Sequence, residues 1–247
     1  MIIKNEFKTT EGKVITVRNV NFESLEDLHN NIGNFLAESK LDDSSDFEIN
    51  EDGIYLFRCL YDKSKALRLY KDFNLYKYTY HDDYGIVSKL QEKQKDIKLS
   101  EFPTGIITVE NKVIGQEVPF YDNSKTIYEY FKDGNMKKRP TQFYLEILNI
   151  LRELSNNGII YIDVHKGNFL VENITEIVNI IDFESGFLNF GNLPSSYVPM
   201  INNFKISLIN ILNSVCNIRF DNNLNKVDTL EKLEEVLLEE DYKLKVK

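Results

Sequence analysis

The sequence predicts an α+β chain, with strands gathered in its first half and helices in its second. Three observations predict this. Short apolar runs separated by turn residues recur over residues 46–119, whereas residues 120–247 carry apolar residues at helical spacing. Between the helical segments, residues 159–186 hold two apolar runs around a polar loop that carries Asp163, His165, Lys166 and Asn168. A further apolar run, Ile177 to Ile181, ends abruptly on Asp182. Acids at the ends of buried elements are costly unless they are paired or bind a metal, so this stretch is the candidate site.

A chain of 247 residues can bury a substantial core as one or two lobes. Its formal net charge of −9 argues against nucleic acid as a partner, because a phosphate backbone demands a basic surface. Cys59 and Cys216 both stand in apolar runs, which fits buried free thiols in a reducing cytoplasm. No secretion signal is apparent, and no run reaches the roughly 18 apolar residues of a membrane span. A cytoplasmic protein without a membrane partner is therefore expected.

Residues 1–45 are expected to form an extension, with a strand over 13–17 and an amphipathic helix over 25–38. Leu25, Leu28, Ile32, Phe35 and Leu36 give that helix its apolar face, and Ser24 with Asp27 its capping box. Strands are expected over 47–49, 54–60 and 66–73, the first two joined by a turn at Asp52-Gly53. A helix is expected over 84–95. Strands over 106–110 and 113–119 then form a hairpin about Asn111-Lys112. Pro140 can start a helix that buries Tyr144, Ile147, Leu148, Leu151 and Leu154 and stops at Asn156-Asn157-Gly158. Residues 201–216 predict a buried helix, and residues 228–239 an amphipathic one.

The order Asp163-Val164-His165-Lys166-Gly167-Asn168, followed by Asp182-Phe183-Glu184, resembles the protein-kinase-like superfamily. The aspartate–asparagine spacing matches the catalytic loop of that superfamily. Asp182-Phe183-Glu184 stands where Asp-Phe-Gly is expected, and the D-x-H-x-G-N form is closest to aminoglycoside and choline phosphotransferases. The resemblance implies a two-lobed fold: an antiparallel sheet lobe over 46–119 and a reduced, mainly helical lobe over 120–247. It places the catalytic loop at 161–168 and the metal motif at 182–184. It also implies ATP and Mg²⁺ as cofactors, with Asp163 as base and Asn168 and Asp182 as metal ligands.

On the same resemblance, Arg68 stands two residues after Ala66, where a phosphate-contacting lysine is usual; Lys71 competes but would face the other way along the strand. Glu92 is the candidate acidic partner of Arg68, with Glu101 as a competitor. Glu117 and Pro119 fall at the expected lobe connection, where backbone groups could read adenine. His165 could position the loop or touch the phosphates, and Tyr161 replaces the usual loop-supporting histidine. Two acceptor classes follow, a small molecule or a protein serine or threonine. The short tail after Glu184 and the absence of an Ala-Pro-Glu motif favour the small molecule. Arg68, Tyr161, Glu184 and the sparse glycines keep a third reading in play, a nucleotide-binding pseudokinase.

Overall fold

Apolar residues alternate on both faces along residues 13–22, and that pattern suits a strand covered on two sides. The computed structural model describes residues 1–10, 13–31, 35–37, 55–59, 61–69, 83–134, 136–183, 188–191, 194–216, 224 and 226–246. They form a mixed α+β chain that divides into two compact units, and the chain passes from one to the other after Lys95, after Glu101 and again after Phe120.

The first unit is built on β1 (Ile2–Thr10), β2 (Lys13–Phe22), α1 (Leu25–Asn31), β3 (Phe35–Ala37), β4 (Tyr55–Cys59), β5 (Lys65–Leu69), α2 (Asp83–Lys93), β6 (Gly105–Val109) and β7 (Lys112–Pro119). Its strands form one seven-stranded sheet in the order β1-β2-β6-β7-β5-β4-β3. Every neighbouring pair is antiparallel except β2 with β6, which is parallel. Val20, Phe22, Phe57, Leu67 and Leu69 pack on one face with Leu28 of α1. Ile15, Val17 and Ile106 pack on the other face with Val87 of α2. Gly115 is required where β7 meets β5, because a Cβ there would lie 2.2 Å from the Arg68 carbonyl oxygen.

The N-terminal extension differs from the expectation. It contributes two long strands to the sheet, and its helix ends at Asn31. Phe35 and Leu36, expected on the helix face, stand in β3 opposite Cys59 and Arg58. Pairing with the exposed edge of β4 satisfies backbone groups that a longer helix would have left open. The expected strand over 47–49, the turn at Gly53 and Lys71 lie outside the described residues, as does Glu184.

The second unit begins with residues 96–101, which the expected boundaries assign to the sheet lobe. They are held by Glu153, whose carboxylate accepts from the amides of Lys98 at 3.1 Å and Leu99 at 2.8 Å. From Tyr121 onward the unit contains β8 (Ser124–Thr126), α3 (Ile127–Asp133), α4 (Pro140–Asn156), β9 (Ile159–Tyr161), β10 (Phe169–Glu172), β11 (Val178–Ile180), β12 (Leu188–Phe190), α5 (Pro194–Ser214) and α6 (Leu230–Val246). α4 buries the five residues expected of it, together with Phe143 and Ile150. Arg139 grips Asp241 of α6 through two bonds of 2.6 and 2.8 Å, fixing α6 beside the start of α4. Among the described residues, no helix is long and apolar enough to cross a membrane.

Candidate active site

α4 ends at Asn156, Gly158 takes a φ of 72°, and β9 then carries the chain straight into the polar loop. β9 is fully buried and paired to β12, with Tyr161 opposite Leu188, so the loop leaves a fixed base. β10 and β11 form the hairpin that follows, with Phe169 opposite Ile180. Asn168 precedes the first strand and Asp182 follows the second. The Ile181 amide donates to the Asn168 carbonyl at 3.0 Å, so residues far apart in sequence become neighbours.

Asn168 is 4 % exposed, and its side chain organises the loop. Its Nδ2 donates to Asp163 Oδ2 at 2.8 Å, to the Asp163 carbonyl at 3.1 Å and to Tyr161 Oη at 2.9 Å. That orientation, assigned from the bonding pattern, leaves Oδ1 as the amide's remaining acceptor. Tyr161 Oη in turn donates to the Ile181 carbonyl at 3.0 Å, and its ring meets Phe183 edge-on with centroids 5.6 Å apart. Tyr161 thus ties the loop to the Asp182 segment.

His165 is placed by one hydrogen bond and one close polar contact. The Gly167 amide donates to Nδ1 at 3.0 Å, which puts the proton on Nε2, and Nε2 lies 3.3 Å from Asp163 Oδ2. A Cβ on Gly167 would meet the imidazole at 2.9 Å, so glycine permits this close approach. Asn203 of α5 donates to the Ile162 carbonyl at 2.8 Å and braces the loop from the other side. Beside Asp163 lies a cavity of about 290 Å³, bounded by the loop and α5.

Asp182 adopts a φ of 71°, in the left-handed region that few aspartates occupy, and its Oδ1 is sealed from solvent. Asn168 and Asp182 offer hard oxygens of the kind that suit Mg²⁺. Among the described residues no three His, Cys, Asp or Glu side chains cluster as a metal site. A cation on this pair would complete its shell with phosphate and water oxygens.

In the first unit, Arg68 lies on β5 opposite Gln116 of β7, and Gln116 lies opposite Ile106 of β6. Cross-strand partners share a face, so Arg68 points to the side of the sheet that α2 covers, the helix that carries Glu92. Gln116 escaped the sequence reading. It is 1 % exposed, and both atoms of its carboxamide lack a hydrogen bond. An amide beside a glutamate in the middle of a strand was the available signal, and a buried orphan of this kind calls for an explanation.

Glu117 and Pro119 do not form a free connection. Both lie in β7, opposite Leu67 and Lys65, and alternation turns Glu117 away from the Arg68 face. The Glu117 carbonyl accepts from the Thr104 amide at 2.8 Å, and its carboxylate is fully buried. That carboxylate accepts from Tyr61 Oη at 2.6 Å, Thr104 Oγ1 at 2.6 Å and Lys65 Nζ at 3.2 Å, with Arg18 Nε 3.5 Å away. Burial, then bonds to Cys59 and Glu117, push the Tyr61 hydroxyl far up, and burial lifts the Cys59 thiol to about 11. Glu117 is thus a buried carboxylate spent on structural partners that themselves reach the surface. The first unit ends at Phe120, whose amide is occupied by the Ser64 carbonyl at 2.8 Å.

No protein-family model matches the chain, and no curated protein sequence matches it either. Function therefore rests on the chemistry of the site itself.

Proposed function

We propose that the chain is a phosphotransferase that moves the γ-phosphate of ATP onto an acceptor hydroxyl. More narrowly, it is a Mg²⁺-dependent kinase whose acceptor is a small molecule. The observation that carries this reading is the junction at Asn168. Its side chain binds Asp163 at 2.8 Å, while its carbonyl receives the amide of the residue before Asp182 at 3.0 Å. One residue thus couples a base to a metal-binding acid.

Asp163 is the base. Its carboxylate is oriented by the Asn168 amide, with His165 Nε2 3.3 Å away, and 22 % of its side chain remains exposed to meet an acceptor. The acceptor oxygen attacks the γ-phosphorus, the bond to the ADP oxygen breaks, and the acceptor proton passes to Asp163. Asn168 Oδ1 and the Asp182 carboxylate would hold Mg²⁺, which when bound neutralises charge on the phosphates. Arg68 is assigned to the phosphates, with Glu92 of α2 as its orienting acid. Gln116, on the same sheet face, gains an explanation if its amide meets the nucleotide. The two-lobed kinase-like organisation belongs to this proposal, supported by a sheet unit that bears Arg68 and a helical unit that bears the loop.

A second reading, a nucleotide-binding pseudokinase, is favoured by Arg68 in place of lysine. Thermal shift with ATP, with and without Mg²⁺, tests the site first. A metal-dependent rise in Tm that disappears in Asp182→Asn is expected, and no metal dependence in the native chain would remove the site. Labelled ATP given to metabolite pools and to cell extract then separates the outcomes. Label in small molecules supports the proposal, label only in proteins favours a serine/threonine kinase, and binding without transfer favours the pseudokinase.

A further inference from the structure

The cavity beside Asp163 is bounded by His165, Lys166 and the α5 residues Asn203, Ile206, Ser207 and Asn210, and it measures about 290 Å³. From it we infer that the acceptor is a neutral, polyhydroxylated molecule the size of a monosaccharide. This inference rests on the phosphotransferase reading and narrows it.

Helix geometry supplies the first part. Positions 203, 207 and 210 fall within one narrow face of α5, since residues three, four and seven apart stack along a helix. The opposite side of α5 buries Ile201, Phe204, Leu208, Ile211 and Leu212, while Asn202, Lys205 and Asn213 are further polar positions along the helix. A polar stripe on such a helix, aimed at a catalytic loop, is not needed to bury α5 in its unit.

Unused bonding capacity supplies the second part. Asn203 spends one N–H on the Ile162 carbonyl, which leaves its other N–H and its Oδ1. Ser207 and Asn210 engage through their backbone carbonyls, which accept from Tyr144 Oη and Ser214 Oγ. Their side-chain hydroxyl and carboxamide remain for a ligand. Amides and hydroxyls that both donate and accept are matched by neighbouring hydroxyls of a polyol, which do the same.

Charge supplies the third part. Among the described residues Asp163 is the one acid that borders the cavity, and it is already engaged by the Asn168 amide, with His165 Nε2 3.3 Å away. The Lys166 ammonium, held 3.9 Å from the centre of the Tyr128 ring, also borders the cavity, so one cation balances one acid there and the described lining carries no net charge. Among the described residues no Phe, Tyr or Trp ring borders the cavity. A polyamine or quaternary ammonium acceptor would find neither the acids nor the aromatic cage that such cations require. The volume stands at the lower end of ligand cavities, about 300 Å³, which suits a monosaccharide.

The test uses the full chain with γ-labelled ATP and Mg²⁺ against three panels: neutral monosaccharides and polyols, cationic acceptors such as choline and kanamycin, and serine/threonine peptides. Label on a neutral polyol is expected, with Asn210→Leu and Ser207→Val each raising KM for it tenfold or more and changing kcat far less. Label confined to cations or peptides overturns the inference, and so does an unaltered KM in both variants. If Mg²⁺-ATP binds in an Asp182-dependent manner but no polyol is labelled, the polyol fails and the phosphotransferase reading stands. If Mg²⁺-ATP does not bind, that reading fails, and saturation-transfer NMR with the polyol panel alone decides the cavity. Binding lost in Asn210→Leu keeps the polyol site; no binding removes it.

Discussion

Two carboxylates sit among polar partners in this molecule, and they differ in one respect. Glu117 is fully buried and receives Tyr61, Thr104 and Lys65, with Arg18 close by. Asp163 receives Asn168, with His165 close by, yet keeps 22 % of its side chain open beside a cavity. Both are oriented by neighbours, but only one retains lone pairs that a second molecule can reach. Saturation by donors in a dry site makes an acid structural, because every bond it can form is already spent on the fold. Orientation with an opening makes an acid available for proton transfer.

The contrast is broken most sharply at Asp163. Asp163→Asn keeps an acceptor for the Asn168 amide, so Tm should hardly move, while turnover in the labelled-ATP assay falls roughly a thousandfold. Full activity in that variant would place the base elsewhere. Glu117→Gln should do the opposite to stability. Removing the buried charge opposite Lys65 and Arg18 should cost about 3 kcal/mol, read as a lower midpoint in urea.

A third acid sharpens the comparison through pH. Glu176, in the turn between β10 and β11, is buried, and its carboxylate accepts from Tyr130 Oη at 2.6 Å and from the amides of Lys137 and Lys138 at 2.6 and 3.1 Å. Burial opposes its ionisation, but these bonds outweigh it and hold the carboxyl below its ordinary value of 4.5. A group lowered on folding contributes stability that is complete above the unfolded value and is lost as pH falls through the folded one. Tm scans from pH 7 to pH 3 should therefore show Glu176→Gln several degrees below the native chain at neutral pH. The gap should close in acid, and a gap independent of pH would deny the ionised carboxylate its role.

Gln116 provides the smallest expected effect and the opposite sign. Gln116→Leu removes a buried amide without partners, so the chain alone should gain about 1 kcal/mol in urea unfolding. The same variant should bind ATP more weakly if the amide meets the nucleotide. A gain in stability with unchanged ATP binding would make Gln116 a tolerated orphan and nothing more.

Much of the second unit was legible in the sequence, because its signals are local. Pro140 and the spacing of Tyr144, Ile147, Leu148, Leu151 and Leu154 specify α4 without reference to anything distant. The interval from Asp163 to Asn168 and the apolar run before Asp182 likewise forecast a loop and a hairpin. The extension was less legible. Phe35 and Leu36 continue a helical pattern from Leu25, yet they pair with β4, a choice that depends on a strand edge the local sequence does not describe.

The sequence by itself determined the α+β division, the helix α4 and the identity of the groups able to do chemistry, since periodicity and residue type are written along the chain. Tertiary structure alone decided which acids are spent and which are free to act. The pairing of β5 with β7 spent Glu117 on structural partners and set Gln116 beside Arg68, and the β10–β11 hairpin brought Asn168 next to Asp182. A side chain's partners across a sheet depend on register, and register is fixed by contacts between segments that no single stretch encodes.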